Sequence, residues 1–575
     1  MKRFGPGILV VLTLVVVATR ATSMAEESRP RYEKRWVYAA PNLAVEESVD
    51  DILALIGRSR KAGYNGMILA DYKFNILDRM HPGYLRNVRK VVEAAADLDF
   101  ELIPAVFPIG YSEGLLAHDP NLAEGLPVVD APFVVNGPEA RLVEDPDAGY
   151  KNGGLEDVRG DRFAGFSFQD DPGKTTFADR ATFHGGHVSC RIEDPGKGGS
   201  AANARLIQRL AVRPHSAYRF SCWVKTRDYK APGSFHLTVL GAAESARPLT
   251  FHEAEIRPNQ DWTQVDVVFN TLDQESINAY VGVWGVKTGT LWVDDIKLEP
   301  LGFVNILRRD GCPLSVISDD GRTRYEEGKD FEPIVDPKLG VVPYAGLYDF
   351  GHAGPSLRLT SGSRIKDGAK LKVSWYHPVP IHGGQLMCCL SDPKLDALLK
   401  DQARRVNDLF HPRAFLMSHD EIRVANWCKA CQDRHASPGE LLARNVKRCA
   451  AILKEVAPRS ELLVWSDMFD PFHNARKDYY LVNGSLEGSW KGLDPQITIL
   501  NWNGEKSKES LNWFAKLGHR QIIAGYYDAD DLSGFSGWNE AAKGVRNIHG
   551  FLYTTWQKKY GQLESYGEAI RKAGH

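Results

Sequence analysis

Between residues 35 and 108, short apolar runs alternate with longer segments whose apolar positions recur every three or four residues. RWVYAAPN (35–42) leads into VEESVDDILALIGRSRKAG, YNGMILADY (64–72) leads into PGYLRNVRKVVEAAADLD, and FELIPAVFP (100–108) leads into no helical segment. The runs read as buried β-strands and the longer segments as amphipathic helices. After residue 391 the alternation resumes. SDPKLDALLKDQARRVNDLF is a helix, followed by strand AFLMSHDE, helix GELLARNVKRCAAILKEVA, strands ELLVWSDMF and ITILNWN, helix SKESLNWFAKLG, strand QIIAGYYD, a short helix, strand HGFLYTTW and a last helix. Three strands and five more give the eight of a closed (β/α)8 TIM barrel, an α/β fold with a large insertion after its third strand. An open doubly wound sheet is the competing architecture. The first strand lacks the Gly-rich turn of such sheets, and eight units suit closure better.

The insertion, about 110 to 375, changes period. SAYRFSCWVKT, GSFHLTVLG, TQVDVVFNT, NAYVGVWGV and TGTLWVDDIKLEP alternate apolar and polar positions between Gly, Pro and Asp turns, the pattern of an antiparallel β-sandwich. The expected organisation is 31–110 for the first part of the barrel, 150–302 for the sandwich, 303–378 for a small β segment and 379–575 for the second part of the barrel. The stretch from GGHVSCRIED to LWVDDIKLEP resembles the jelly-roll carbohydrate-binding modules of polysaccharide-degrading enzymes.

Ahead of this, Lys2 and Arg3 precede an apolar run from Ile8 to Ala18 and then Ser23-Met24-Ala25. This has the form of a signal peptide, 1–25, so export is expected, to a secreted or periplasmic location. The run is short of the roughly 20 apolar residues of a spanning helix, so no stable membrane insertion is expected after cleavage. With 71 basic and 73 acidic residues the chain has no field for gripping nucleic acid. Thirteen Trp and twenty-one Tyr suit stacking on sugar faces as well as filling cores.

In a barrel of this kind the reacting groups sit where the strands end. Those positions hold Asn42, Asp71, Pro108, His419-Asp420-Glu421, Trp465 with Asp467, Trp502, Tyr526 with Asp528, and Trp556. Carboxylates among three Trp and a Tyr describe a sugar pocket better than a phosphate or peptide site. Glycoside cleavage needs an acid for the leaving oxygen and a second group for the charge developing at the anomeric carbon. Asp420 and Glu421 supply both, provided the strand has ended, because neighbours in a regular strand face opposite ways. No cofactor motif is present, and the chemistry calls for neither cofactor nor catalytic metal.

These positions resemble the glycoside hydrolase family 20 β-N-acetylhexosaminidases. Asp420-Glu421 matches their catalytic pair after the fourth strand, Trp465 the fifth-strand Trp, Tyr526-Tyr527-Asp528 their Tyr-x-Asp after strand seven, and Trp556 the eighth-strand Trp. The resemblance implies a retaining, substrate-assisted enzyme acting on glycans that contain N-acetylgalactosamine or N-acetylglucosamine. In it the substrate's acetamido oxygen attacks the anomeric carbon, Asp420 orients that group, Glu421 is the general acid/base, and Tyr526 bonds the acetamido oxygen. Asp71, His419, Trp465, Asp467, Trp502, Asp528 and Trp556 would bind the sugar. The chain departs from the family pattern at Ser418-His419 in place of paired Gly, at the first strand, which lacks an Arg, and at Lys558. A glycosidase with two protein carboxylates and a non-catalytic glycan-binding protein are the competing readings.

Eight Cys are too few for a disulfide scaffold. Cys428 and Cys431 form a C-x-x-C, either a local disulfide or half of a metal site. His435, Cys449 or the adjacent Cys388-Cys389 would have to complete the latter. No thioredoxin-like strand and helix surround the motif, which favours a structural role over a redox one.

Overall fold

The computed structural model describes residues 32–574 except 200, 231, 243–245, 252, 253, 287 and 341–347, so the expected leader lies outside the described residues. Eight parallel strands close into a barrel in chain order. They are Lys34–Ala39 (β1), Gly66–Leu69 (β2), Glu101–Val106 (β3), Ala414–Met417 (β4), Glu461–Trp465 (β5), Thr498–Asn501 (β6), Gln521–Ala524 (β7) and Ile548–Tyr553 (β8).

Alternation along each strand sorts the side chains into two layers. Trp36, Ile68, Ile103, Leu416, Leu463, Leu500, Ile522 and Leu552 pack together inside the barrel. Their neighbours Val37, Met67, Phe415, Val464, Ile499, Ile523 and Phe551 face outward into the main core beneath the helices. Strands buried on both faces need continuous apolar runs, which is why these segments read so plainly in the sequence.

The surrounding helices are Glu46–Lys61 (α1), Pro82–Asp97 (α2), Pro393–Phe410 (α3), Pro438–Val456 (α4), Ser507–Lys516 (α5), Ser533–Ala541 (α6) and Leu563–Ala573 (α7). Pro at the first turn of α3 and α4, with Asp392 and Ser437 capping free amides, sets where these helices begin. Between β5 and β6 the described chain forms no long helix, only short 3-10 turns, loop and a two-residue strand, Leu481–Val482, paired with Val424–Ala425 after β4, which leaves long segments to build over the strand ends. No helix among the described residues is long and apolar enough to cross a membrane.

The insertion leaves after β3 and returns before α3. Its sandwich pairs a five-stranded sheet, whose central strands are Ala217–Arg227 and Thr290–Pro300, with a four-stranded sheet built on Ala204–Ala211 and Ser276–Val283. The small β segment is not closed within 303–378. Its strand Lys370–His377 pairs antiparallel with Leu126–Asn136, which precedes the sandwich, in a six-stranded sheet. The sandwich is therefore nested inside a second insertion. At the root the outgoing and returning stems run side by side: the Glu124 amide donates to the Met387 carbonyl and the Cys389 amide to Leu122, both at 2.8 Å.

Candidate active site

The C-terminal ends of the strands open on a cavity of about 690 Å³. Its position follows from strand alternation. In β4 the inward residues Ala414 and Leu416 pack inside the barrel, and the same parity carries on to Ser418 and Asp420, which line the cavity. His419 is turned away by that parity. It is fully buried, and its Nε2 meets Asn445 Oδ1 of α4 at 3.0 Å. The expected sugar contact at His419 is thus replaced by a packing role, and burial pushes its pKa down to about 4.

Glu421 would also face away in a continued strand. Its backbone instead adopts φ +50, a left-handed conformation uncommon for a residue with a Cβ, and its side chain turns into the cavity. Three contacts hold it there. Its amide donates to Asp467 Oδ2 at 2.9 Å, Arg423 Nη2 lies 2.6 Å from its Oε1, and the Tyr111 hydroxyl donates to its Oε2. Gln385, on the returning stem, accepts from Arg423 and donates to the carbonyls of Glu421 at 3.2 Å and Gly110 at 2.5 Å. Gly110, on the outgoing stem, passes so close that a Cβ there would fall on the Asp420 carbonyl oxygen. Both stems of the insertion therefore shape the carboxylate pair.

Electrostatics act on the buried acids of this cluster. Burial, reinforced by Asp467 and Glu421, raises the Asp420 carboxyl to about 8. Burial likewise raises Asp467 to about 7 against the hydrogen bonds that favour its ionised form. Near neutral pH this cluster retains a proton that isolated carboxylates would have lost. Glu113, also lining the cavity, is raised by burial to about 7.

The walls are aromatic. The Tyr38 ring stands 4.8 Å from Trp556 and 6.0 Å from Trp465, and Tyr72, Tyr111, Trp502 and Tyr527 also line the cavity. Lys73 and Lys558 add cationic groups.

Several expected contacts act from behind the surface. Asp467 is fully buried and does not line the cavity. Besides the Glu421 amide it accepts from Asn474 at 3.0 Å and from Trp502 Nε1 at 3.3 Å, so it positions a carboxylate and a ring. Asp528 accepts the Thr555 hydroxyl and the Trp556 amide at 3.0 Å, bracing the loop after β8 rather than reaching inward. Asp71 touches the cavity, but its oxygens are committed to the amides of Leu43 and Lys73, the Tyr84 hydroxyl and Lys73 Nζ.

Tyr526 is displaced from the expected role. Its ring stacks on Tyr553 at 4.1 Å beneath the helices, and its hydroxyl donates to the Ala529 carbonyl at 2.6 Å. The cavity is lined by Tyr527 instead. The reason is local: β7 ends at Ala524, so the alternation that would carry Tyr526 inward stops two residues before it.

Sequence reasoning also passed over Tyr38, Tyr111, Glu113, Arg423 and Tyr527. Tyr38 was readable, since it shares parity with Trp36 in β1. Tyr111 and Glu113 lie in the insertion stem, where no strand periodicity marks them.

No protein-family model and no curated protein matches this sequence. Among solved structures, it is similar to a glycoside hydrolase family 20 β-N-acetylglucosaminidase at 10% identity and TM-score 0.34, over 95% of this chain and 69% of that one. A chitobiase from Flavobacterium johnsoniae gives 9% identity and TM-score 0.34, over 95% of this chain and 52% of that one. A family 16 carbohydrate-binding module gives 20% identity and TM-score 0.19, over 26% of this chain and 97% of the module. Similarities of this size carry no information about the reaction; the side chains of the cavity do.

Proposed function

We propose that the protein is a glycoside hydrolase acting on glycans that contain β-linked N-acetylhexosamine, by substrate assistance, with Asp420 and Glu421 as the reacting pair. The observation that carries this reading is the adjacency of the two carboxylates at the end of β4, both turned into a cavity walled by Tyr38, Trp465, Trp502, Tyr527 and Trp556. Flat rings suit the apolar faces of a pyranose, and a pair of acids suits cleavage at its anomeric carbon.

In this mechanism the acetamido oxygen of the bound sugar attacks C1 as the bond from C1 to the leaving oxygen breaks. Glu421 gives that oxygen a proton, and Asp420 orients the acetamido N–H and faces the positive charge of the cyclised intermediate. Water then attacks C1 and gives its proton to Glu421, so configuration is retained. Tyr527 takes the place expected of Tyr526 beside the acetamido group.

One observation favours a second division of labour. The proton is drawn to Asp420, while Glu421 is ion-paired with Arg423 at 2.6 Å. In that reading Asp420 is the acid and Glu421 the fixed charge facing the acetamido group.

The experiment is hydrolysis of a panel of aryl N-acetylglucosaminides, N-acetylgalactosaminides and plain galactosides. Turnover confined to the acetamido sugars is expected, together with tight binding of a thiazoline mimic of the cyclised intermediate. Equal turnover of sugars lacking the acetamido group, or a glycosyl ester trapped on any carboxylate, would overturn the substrate-assisted reading.

A further inference from the structure

Outside the cavity, the two stems of the insertion and the loop after β4 meet at a buried cluster of three thiols and a carboxylate. Cys389 Sγ lies 3.4 Å from Cys428 Sγ and 3.6 Å from Cys431 Sγ. Glu124 Oε2 lies 3.4 Å from Cys428 Sγ and 3.7 Å from Cys431 Sγ. One ligand atom from each residue falls within 4.8 Å of every other, and all four residues are buried. Of the partners expected for the C-x-x-C, His435 is exposed and Cys449 sits on α4 against Asn445, so neither joins. Cys389 does, and Glu124, from far along the chain, completes the set.

The spacing has a definite chemical meaning. Zinc held tetrahedrally by thiolates at about 2.3 Å and a carboxylate oxygen at about 2.0 Å places sulfur atoms roughly 3.8 Å apart, and sulfur and oxygen roughly 3.5 Å apart. The four distances, 3.4 and 3.6 Å between sulfurs and 3.4 and 3.7 Å from sulfur to oxygen, lie within about 0.4 Å of those edges. Glu124 Oε1 accepts the amides of Trp427 at 2.6 Å and Cys428 at 2.9 Å, which aims Oε2 at the sulfurs, as the outer hydrogen bonds of metal ligands do. The Arg309 guanidinium lies close enough to Cys389, Cys428 and Glu124 to offset part of the negative charge that such a ligand set brings. A disulfide would use two of the sulfurs and leave the third as a thiol beside Glu124, whereas a tetrahedral ion engages all three sulfurs and the carboxylate at once.

We propose that Glu124, Cys389, Cys428 and Cys431 form a closed structural zinc site. On binding, three thiols lose their protons, three Zn–S bonds and one Zn–O bond form, and no electron moves. The site would fasten the outgoing stem at Glu124, the returning stem at Cys389 and the β4 loop at Cys428 and Cys431. Gln385 and Arg423, which hold Glu421, lie on two of those segments. The site stands independently of the glycosidase reading.

The test is elemental analysis of the full chain purified without chelator, with a thiol count, followed by stripping and reconstitution with Co²⁺. Close to one zinc per chain is expected, along with thiolate-to-cobalt charge-transfer absorption and the visible bands of tetrahedral Co²⁺. Cys389→Ser, Cys428→Ser and Cys431→Ser should abolish the metal, Glu124→Gln should weaken it roughly tenfold or more, and Cys449→Ser should leave it unchanged. Because some variants can fail to fold, the cobalt spectrum of the unmutated chain decides on its own. Absence of both zinc and thiolate–cobalt bands, or a disulfide mapped among these cysteines, would overturn the site. Metal kept by Glu124→Gln and lost in Cys449→Ser would overturn the ligand set.

Discussion

The Asp467 carboxylate accepts the main-chain N–H of Glu421 at 2.9 Å, so the acid that follows β5 fixes the backbone of the acid that follows β4. The same carboxylate holds Trp502 Nε1, coupling Glu421 to a wall of the cavity through one buried side chain. Asp467→Ala should lower kcat on acetamido glycosides about 10²-fold, since small misplacements of reacting groups cost that much. Asp467→Asn, which keeps one acceptor oxygen, should recover part of the loss. An Asp467→Ala enzyme with unchanged kcat would show that Glu421 needs no such support.

The two divisions of labour predict different substrate dependence. If Glu421 is the acid, Glu421→Gln should lose about 10²–10⁴-fold on glycosides with poor leaving groups and much less on those with good ones. Asp420→Asn should then lose similar factors on both. The reverse pattern would assign the proton to Asp420.

The raised carboxyls also make a stability prediction. A carboxyl at about 8 in the folded chain, and near 3.8 when unfolded, is protonated only in the folded state across that interval. The folded state then binds more protons, so stability falls as pH rises from about 4 to about 8. Asp467 and Glu113, each near 7, add to the same slope. Thermal melts should show Asp420→Asn less sensitive to pH in this range than the parent and more stable at pH 8. Parallel profiles would mean that the cluster holds no extra proton.

The neighbouring tyrosines should separate. Tyr527→Phe is expected to reduce turnover with little change in melting temperature. Tyr526→Phe removes a buried hydroxyl from the Ala529 carbonyl and should cost about 1 kcal/mol of stability, leaving turnover nearly intact. Steady-state kinetics and denaturant melts of both variants check this.

The sandwich reaches the face on which the strands open. Arg247 Nη2 donates to the Tyr480 carbonyl at 3.2 Å, and the Phe251 ring lies 4.8 Å from that of Tyr480. With Trp502 and Tyr527, these residues line a second cavity that shares a wall with the first. Phe251→Ala should raise KM for long glycans several-fold and leave aryl glycosides unaffected. Equal effects on both would place Phe251 outside any extended binding groove.

How much of this was legible in the chain follows from the range of the forces involved. Strands buried on both faces must be apolar along most of their length, so the eight units were readable, and parity within β4 places Asp420 in the cavity and His419 behind it. The sandwich was equally plain, because period-two alternation is local. The sheet joining Leu126–Asn136 to Lys370–His377 was not, since backbone pairing between distant strands carries no local signature. Neither was the exchange of Tyr526 for Tyr527, which depends on where the chain turns after β7. The same holds for Glu421, whose inward aim rests on a left-handed backbone held by Asp467, Arg423 and Tyr111. The thiol and carboxylate cluster is the clearest division. C-x-x-C announced two cysteines, but only the folding of both stems onto the β4 loop brings Cys389 and Glu124 to them, because a ligand set is defined by distances in space that one-dimensional spacing does not contain.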